Sequence, residues 1–190
     1  MIESHQPLSP AGRQTLLQIA RESIAQGLAE GSPLSVVAGN YSAELQAVRA
    51  CFVTLNERGA LRGCIGHLEA SLPLVEDVAE NAYSAAFRDP RFPPLAPHEL
   101  AELEIHISVL TPSQPISFTS EADLIGQLRP YVDGLILIDG LHRGTFLPSV
   151  WEQLPVPAQF LRHLKLKAGL DTDYWSDHIQ VYRYETESFA

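Results

Sequence analysis

Apolar residues return every three or four positions across residues 9–30, with Leu17, Ala20, Ile24 and Leu28 on one stripe. That period predicts an amphipathic helix, with Ser9 as N-cap, Pro10 at the first helical position and Gly31 as its stop. The period then shortens. Residues 48–55 are rich in strand formers, Asn56-Glu57-Arg58-Gly59 carries turn chemistry, and residues 61–68 read as a second extended arm, which together predict a hairpin. Helical spacing resumes over residues 71–87 through Leu74, Val75, Val78, Ala82, Ala85 and Ala86. Leu103–Leu110 alternates Ile105, Ile107 and Val109 against Glu104, His106 and Ser108, the pattern of a strand with one buried face. A short helix is expected over residues 121–128. Strands at 134–138 and 144–147, joined through Asp139-Gly140-Leu141-His142, predict a second hairpin. Pro157–Lys167 follows as a helix, with Gly169 at its C-cap, and residues 179–185 as a last strand, carrying Tyr182 and Tyr184 on a sheet face.

Two hairpins interspersed with helices indicate an α+β fold with mainly antiparallel sheet. No period repeats, so residues 1–190 read as a single domain, with a Pro-rich connection at Pro112 and Pro115 where two subdomains can meet. Hydrophobic residues make up 45% and charged residues 19% of the 190, a composition that excludes disorder and collagen. The longest apolar run is Leu135-Ile136-Leu137-Ile138, far short of a membrane span. The first six residues show neither a basic nor an apolar leader region, so the chain is expected in the cytoplasm. A net charge of −10 opposes a general nucleic-acid footprint. Two cysteines, Cys51 and Cys64, do not make a disulfide framework and are expected to be reduced.

Chemistry concentrates in Leu61-Arg62-Gly63-Cys64-Ile65-Gly66-His67. A thiol beside cationic groups ionises more readily, which makes Cys64 a candidate nucleophile, with Arg62 before it and His67 after it. In a regular strand Cys64 and His67 point to opposite faces, so their pairing requires Gly63 and Gly66 to break the pleat. The alternative is that the glycines shape a tight backbone and Cys64 is a small buried hydrophobe. Cys64, His67 and His106 also form a thin candidate set for a metal, well short of a complete coordination sphere. Glu104 and His106 share one strand face, where a carboxylate can orient an imidazole, or where both simply meet water. The loop Arg88-Asp89-Pro90-Arg91-Phe92 can clamp an anion through its arginines, or be a turn fixed by Asp89 with Phe92 plugging the core; Arg143-Gly144 invites the same two readings. Trp151 is expected to pack at the boundary between subdomains.

The segment Leu61 to Gly66, LRGCIG, resembles the signature of the AMMECR1 family, also called AmmeMemoRadiSam system protein A. The resemblance extends through Leu72-Pro-Leu-Val-Glu-Asp-Val, Ala85-Ala-Phe-Arg-Asp-Pro-Arg-Phe-Pro-Pro-Leu, Leu103-Glu-Ile-His-Ile-Ser-Val-Leu, Asp133-Gly-Leu-Ile-Leu, Arg143-Gly-Thr-Phe-Leu-Pro and Val150-Trp-Glu-Gln-Leu-Pro, covering a core of about residues 13–185. It implies two closely packed α+β subdomains, and Memo-like and radical SAM proteins as partners. It implies no particular reaction and leaves any cofactor unknown. Two readings follow. In one the chain is an enzyme in which Cys64 is nucleophile or ligand, His67 or His106 carries protons, and Arg62, Gly63, Gly66 and Arg143 meet a small anionic ligand. In the other it is a non-catalytic binding or adaptor protein that presents Leu61 to Gly66 as a ligand- or partner-facing turn.

Overall fold

The structure, a computed structural model, describes residues 6–190; residues 1–5, which carry most of the segment read for a leader, lie outside the described residues. In chain order the elements are α1 (Pro10–Glu30), α2 (Ala43–Gln46), β1 (Cys51–Glu57), β2 (Ala60–Gly66), α3 (Leu74–Phe87), β3 (Leu103–Leu110), β4 (Gln114–Pro115), α4 (Glu121–Gln127), β5 (Gly134–Asp139), β6 (His142–Phe146), α5 (Pro157–Lys167), β7 (Gln180–Tyr184) and β8 (Thr186–Phe189). The fold is mixed α+β with two four-stranded sheets, ordered β2-β1-β3-β8 and β4-β7-β5-β6. Among the described residues no helix is long and apolar enough to cross a membrane.

The chain divides into two compact units, the first running to Leu110 and taking back Glu187–Ala190, the second being Thr111–Thr186. In the first, β1 pairs antiparallel with both β2 and β3. Its core packs Val53, Leu55, Ile105, Ile107 and Val109 from one sheet face against Leu16, Ile19 and Ile24 of α1 and Leu74, Val78 and Ala82 of α3. The β1–β2 hairpin closes through Arg58 and Gly59, at φ 51° and 77°. Two successive left-handed residues match the twist of the flanking strands.

The second unit closes on Leu135, Leu137, Trp151, Phe160, Leu161, Leu164 and Val181. Trp151 lies inside this core. Its ring stacks on Phe160 at 3.7 Å between centroids and 9° between planes, and its indole N–H donates to the Asp133 carbonyl at 2.7 Å. The buried ring and its satisfied donor hold it there. Tyr182 and Tyr184, two apart on β7, lie on the same sheet face, Tyr184 buried and Tyr182 partly exposed.

Several expectations need correction. On α1 the buried stripe is Leu16, Ile19, Ala20, Ser23, Ile24 and Gly27, with Leu17 and Leu28 at its margin. The helix is turned because Gly27 lets Tyr83 and Phe87 of α3 approach and the Ser23 hydroxyl donates to the Ala79 carbonyl at 2.7 Å. The cap of α5 is Ala168, and Gly169 supplies the left-handed residue one position later, at φ 82°. Phe92 does not plug the core: Leu95 does, and Phe92 sits partly exposed between the guanidiniums of Arg62 and Arg91 at 6.0 and 5.5 Å.

Candidate functional site

Alternation along β1 sends Cys51, Val53 and Leu55 toward the helices and Phe52, Thr54 and Asn56 to the other sheet face. Thr54 is paired with Cys64 on β2 and with His106 on β3. Cys64, Thr54 and His106 therefore form one row across three strands, all partly exposed. The Thr54 hydroxyl and the Cys64 sulfur are 3.2 Å apart. His106 is one further strand away, so about 10 Å of sheet separates its backbone from that of Cys64. Ser108 continues the face from β3 and is hydrogen-bonded to Ser188 at 2.8 Å.

The backbone of Cys64 is fixed from the open edge of β2. Asp89 accepts the Cys64 N–H at 2.9 Å and also the Arg91 N–H at 3.1 Å. The Arg91 guanidinium donates to both Asp89 oxygens, at 3.0 and 2.7 Å, and to the Cys64 carbonyl at 3.2 Å. Hydrogen bonding from Arg91 outweighs burial and holds the Asp89 carboxyl well below the usual carboxylate range, with the Cys64 and Arg91 N–H groups adding to it. The same bonds raise Arg91 above its ordinary value, with the nearby charge of Asp89 contributing less. Arg91 remains 54% exposed along its side chain, so its outer edge meets solvent beside the thiol.

Both glycines of this strand answer to packing. A Cβ on Gly63 would collide with the Ala85 carbonyl of α3, and one on Gly66 with the Cys51 carbonyl and the Phe52 side chain. Helix α3 thus rests directly on β2. Arg62 is buried and held by Glu99, which accepts from Nε at 2.6 Å and Nη2 at 3.1 Å, while Nη2 also donates to the Pro93 carbonyl at 3.0 Å. Each partner stabilises the charged form of the other, raising Arg62 and lowering Glu99. Arg143 is exposed on β6 of the second unit.

His67 takes a different partner from Cys64. Its main-chain N–H continues the ladder to the Cys51 carbonyl at 3.1 Å, which sets it opposite Cys51 and on the helix side of the sheet. There its Nδ1 meets Asp77 of α3 at 2.8 Å. Among the described residues no three His, Cys, Asp or Glu side chains gather into a metal-binding group. The structure thus brings Cys64 and His106 to one face of the first sheet and places His67 and Arg62 off it; Arg143 belongs to the second unit. The sequence reading passed over Thr54 and Asp77. Thr54 was legible as an outward position of β1; Asp77 and Asn81 were legible as polar residues four apart on the apolar stripe of α3.

The AMMECR1 family model matches residues 17–189. The chain belongs to the AMMECR1 family. It is 40% identical over 185 residues to a protein of Methanothermobacter thermautotrophicus, covering 96% of both chains. A protein of Methanocaldococcus jannaschii is 37% identical over 162 residues, covering 81% of this chain and 79% of its own. The crystal structure of an uncharacterized protein from Pyrococcus horikoshii superposes with a TM-score of 0.82 at 34% identity, covering 91% of this chain and 88% of that one. The α+β architecture with two sheets is therefore shared with a solved relative.

Proposed function

We propose that this AMMECR1-family chain is an enzyme whose site is the Cys64–Thr54–His106 row, acting on a small anionic molecule that lies across Thr54. One observation carries the reading. The Asp89–Arg91 clamp fixes the main chain of a partly exposed cysteine on both its N–H and C=O sides, and leaves a cation at its edge. A thiol held in one orientation beside a guanidinium is the arrangement a nucleophile or ligand requires. Arg91, rather than Arg62, takes the anion-binding role, because its side chain is 54% exposed while that of Arg62 is 10% exposed and enclosed by Glu99 and the Pro93 carbonyl. His106 carries the proton, reaching the bound molecule rather than the sulfur itself. The Memo-like and radical SAM partners implied by the family resemblance belong to this reading as the source or destination of that molecule.

The test is alkylation of the full-length chain by iodoacetate and by neutral iodoacetamide, with the Cys64 adduct quantified by peptide mapping. If Arg91 guides anions to the thiol, iodoacetate gains on iodoacetamide relative to their ratio on a free thiol, and Arg91→Gln removes that gain. An unchanged ratio in both proteins contradicts the anionic-substrate reading. The adaptor alternative gains if Cys64→Ser leaves complex formation with partner proteins intact while no reagent preference exists.

A further inference from the structure

On the helix side of the first sheet, away from the Cys64 thiol, a second polar constellation joins four residues. The Asp77 carboxylate, 3% exposed, accepts from the Cys51 N–H at 3.0 Å, from the Cys51 thiol at 3.2 Å and from His67 Nδ1 at 2.8 Å. Asn81, one turn on along α3 and also buried, donates to the Cys51 carbonyl at 3.3 Å and to its sulfur at 3.4 Å. Cys51 is thus oriented from both sides, accepting from Asn81 and donating to Asp77. Burial pushes its thiol well up, with the charge of Asp77 acting in the same direction, so this sulfur stays protonated and serves as a donor.

The imidazole at the end of this chain differs from the rest. Its side chain is 48% exposed, so it contributes little to the core. Because its buried neighbour is a carboxylate that only accepts, the tautomer this geometry selects for a neutral ring has the proton on Nδ1 and the lone pair on Nε2. A buried carboxylate that fixes a histidine tautomer and stabilises the imidazolium that forms is how proteins prepare a general base.

We propose that His67 is the proton-transfer residue of a second site, positioned by Asp77 and independent of the Cys64 thiol on the opposite sheet face. Its ligand is a small molecule bearing an ionisable hydroxyl. The ligand O–H bond breaks, the proton forms an N–H bond at Nε2, and Asp77 remains ionised beside the resulting imidazolium. Asp77 is a positioning residue, and the Cys51 and Asn81 bonds hold its carboxylate in place.

The molecule supplies its own control. His163, on α5, is exposed and its Nδ1 lies 2.9 Å from the neutral Gln159 carbonyl. It shares with His67 a bonded Nδ1, but the partner is a carbonyl where that of His67 is a carboxylate. With diethyl pyrocarbonate on the folded full-length chain, His67 is expected to react several-fold faster than His163, because carboxylate support fixes the tautomer and raises the basicity of the free nitrogen. Asp77→Asn is expected to bring the two rates together, and imidazole nitrogen NMR to show the Nδ1–H tautomer for His67 in the parent chain. Should the Asn variant fail to fold, the comparison of the two histidines within the parent chain decides alone. Equal rates there, or a Nε2–H tautomer at His67, overturn the proposal. Cys64→Ser must leave the His67 rate unchanged, which separates this site from the one on the other face.

Discussion

At the scale of single residues, the two cysteines show how position on a pleat decides chemistry. They differ by which side of one hairpin they face: Cys51 points into the helices, wholly buried, and Cys64 points away from them, partly exposed and hydrogen-bonded to Thr54. The glycine before Cys64 is equally constrained. Gly63→Ala drives a methyl into the Ala85 carbonyl, an overpacking expected to cost about 1–3 kcal/mol, measured by urea unfolding. A loss under about 0.5 kcal/mol would mean that α3 lifts off β2 without cost.

Among the elements, α1 is fixed at both ends by its own sequence. The Ser9 hydroxyl accepts from the Gly12 N–H at 3.0 Å and donates to Glu44 at 2.6 Å, and Gly31 closes the helix at φ 73°. Ser9→Ala is expected to destabilise by about 1 kcal/mol, seen as a lower urea midpoint with an unchanged slope. Helices α1, α3, α4 and α5 and strands β1, β2, β3, β5, β6 and β7 were legible from period, composition and stop signals. Helix α2 and strands β4 and β8 were not. Four residues are too few to show a period, and Gln114-Pro115 and Thr186–Phe189 are strands only because β7 and β3 offer them free edges. The candidate site was half legible for the same reason. Cys64 and His106 stood out by residue type, but the row they share with Thr54 exists only through strand register. The role of Asp89 beneath Cys64 depends on a contact across 25 positions that no local pattern encodes.

For the molecule as a whole, charge ties the candidate site to stability. Asp89 and Glu99 both titrate below their unfolded values of 3.8 and 4.5, each chiefly through an arginine hydrogen bond. Depressed folded values mean that their stabilisation is complete above the unfolded values and is lost as pH falls through the folded ones. Urea midpoints are therefore expected to be flat from pH 7 to about pH 5 and to fall steeply below pH 4, with Asp89→Asn flattening the acid limb. An acid limb identical in the variant would show that Asp89 is not held by Arg91 in solution. The central claim is that the fold presents the Cys64 thiol at a site and buries the Cys51 thiol. Its most direct test is the labelling rate of each cysteine by iodoacetamide in the native full-length chain, against the same rates in guanidinium. Cys64 is expected to react within about tenfold of its unfolded rate, and Cys51 to be slowed by about a thousandfold or more, because its exposure requires opening of the core. Equal, strong protection of both cysteines would contradict it.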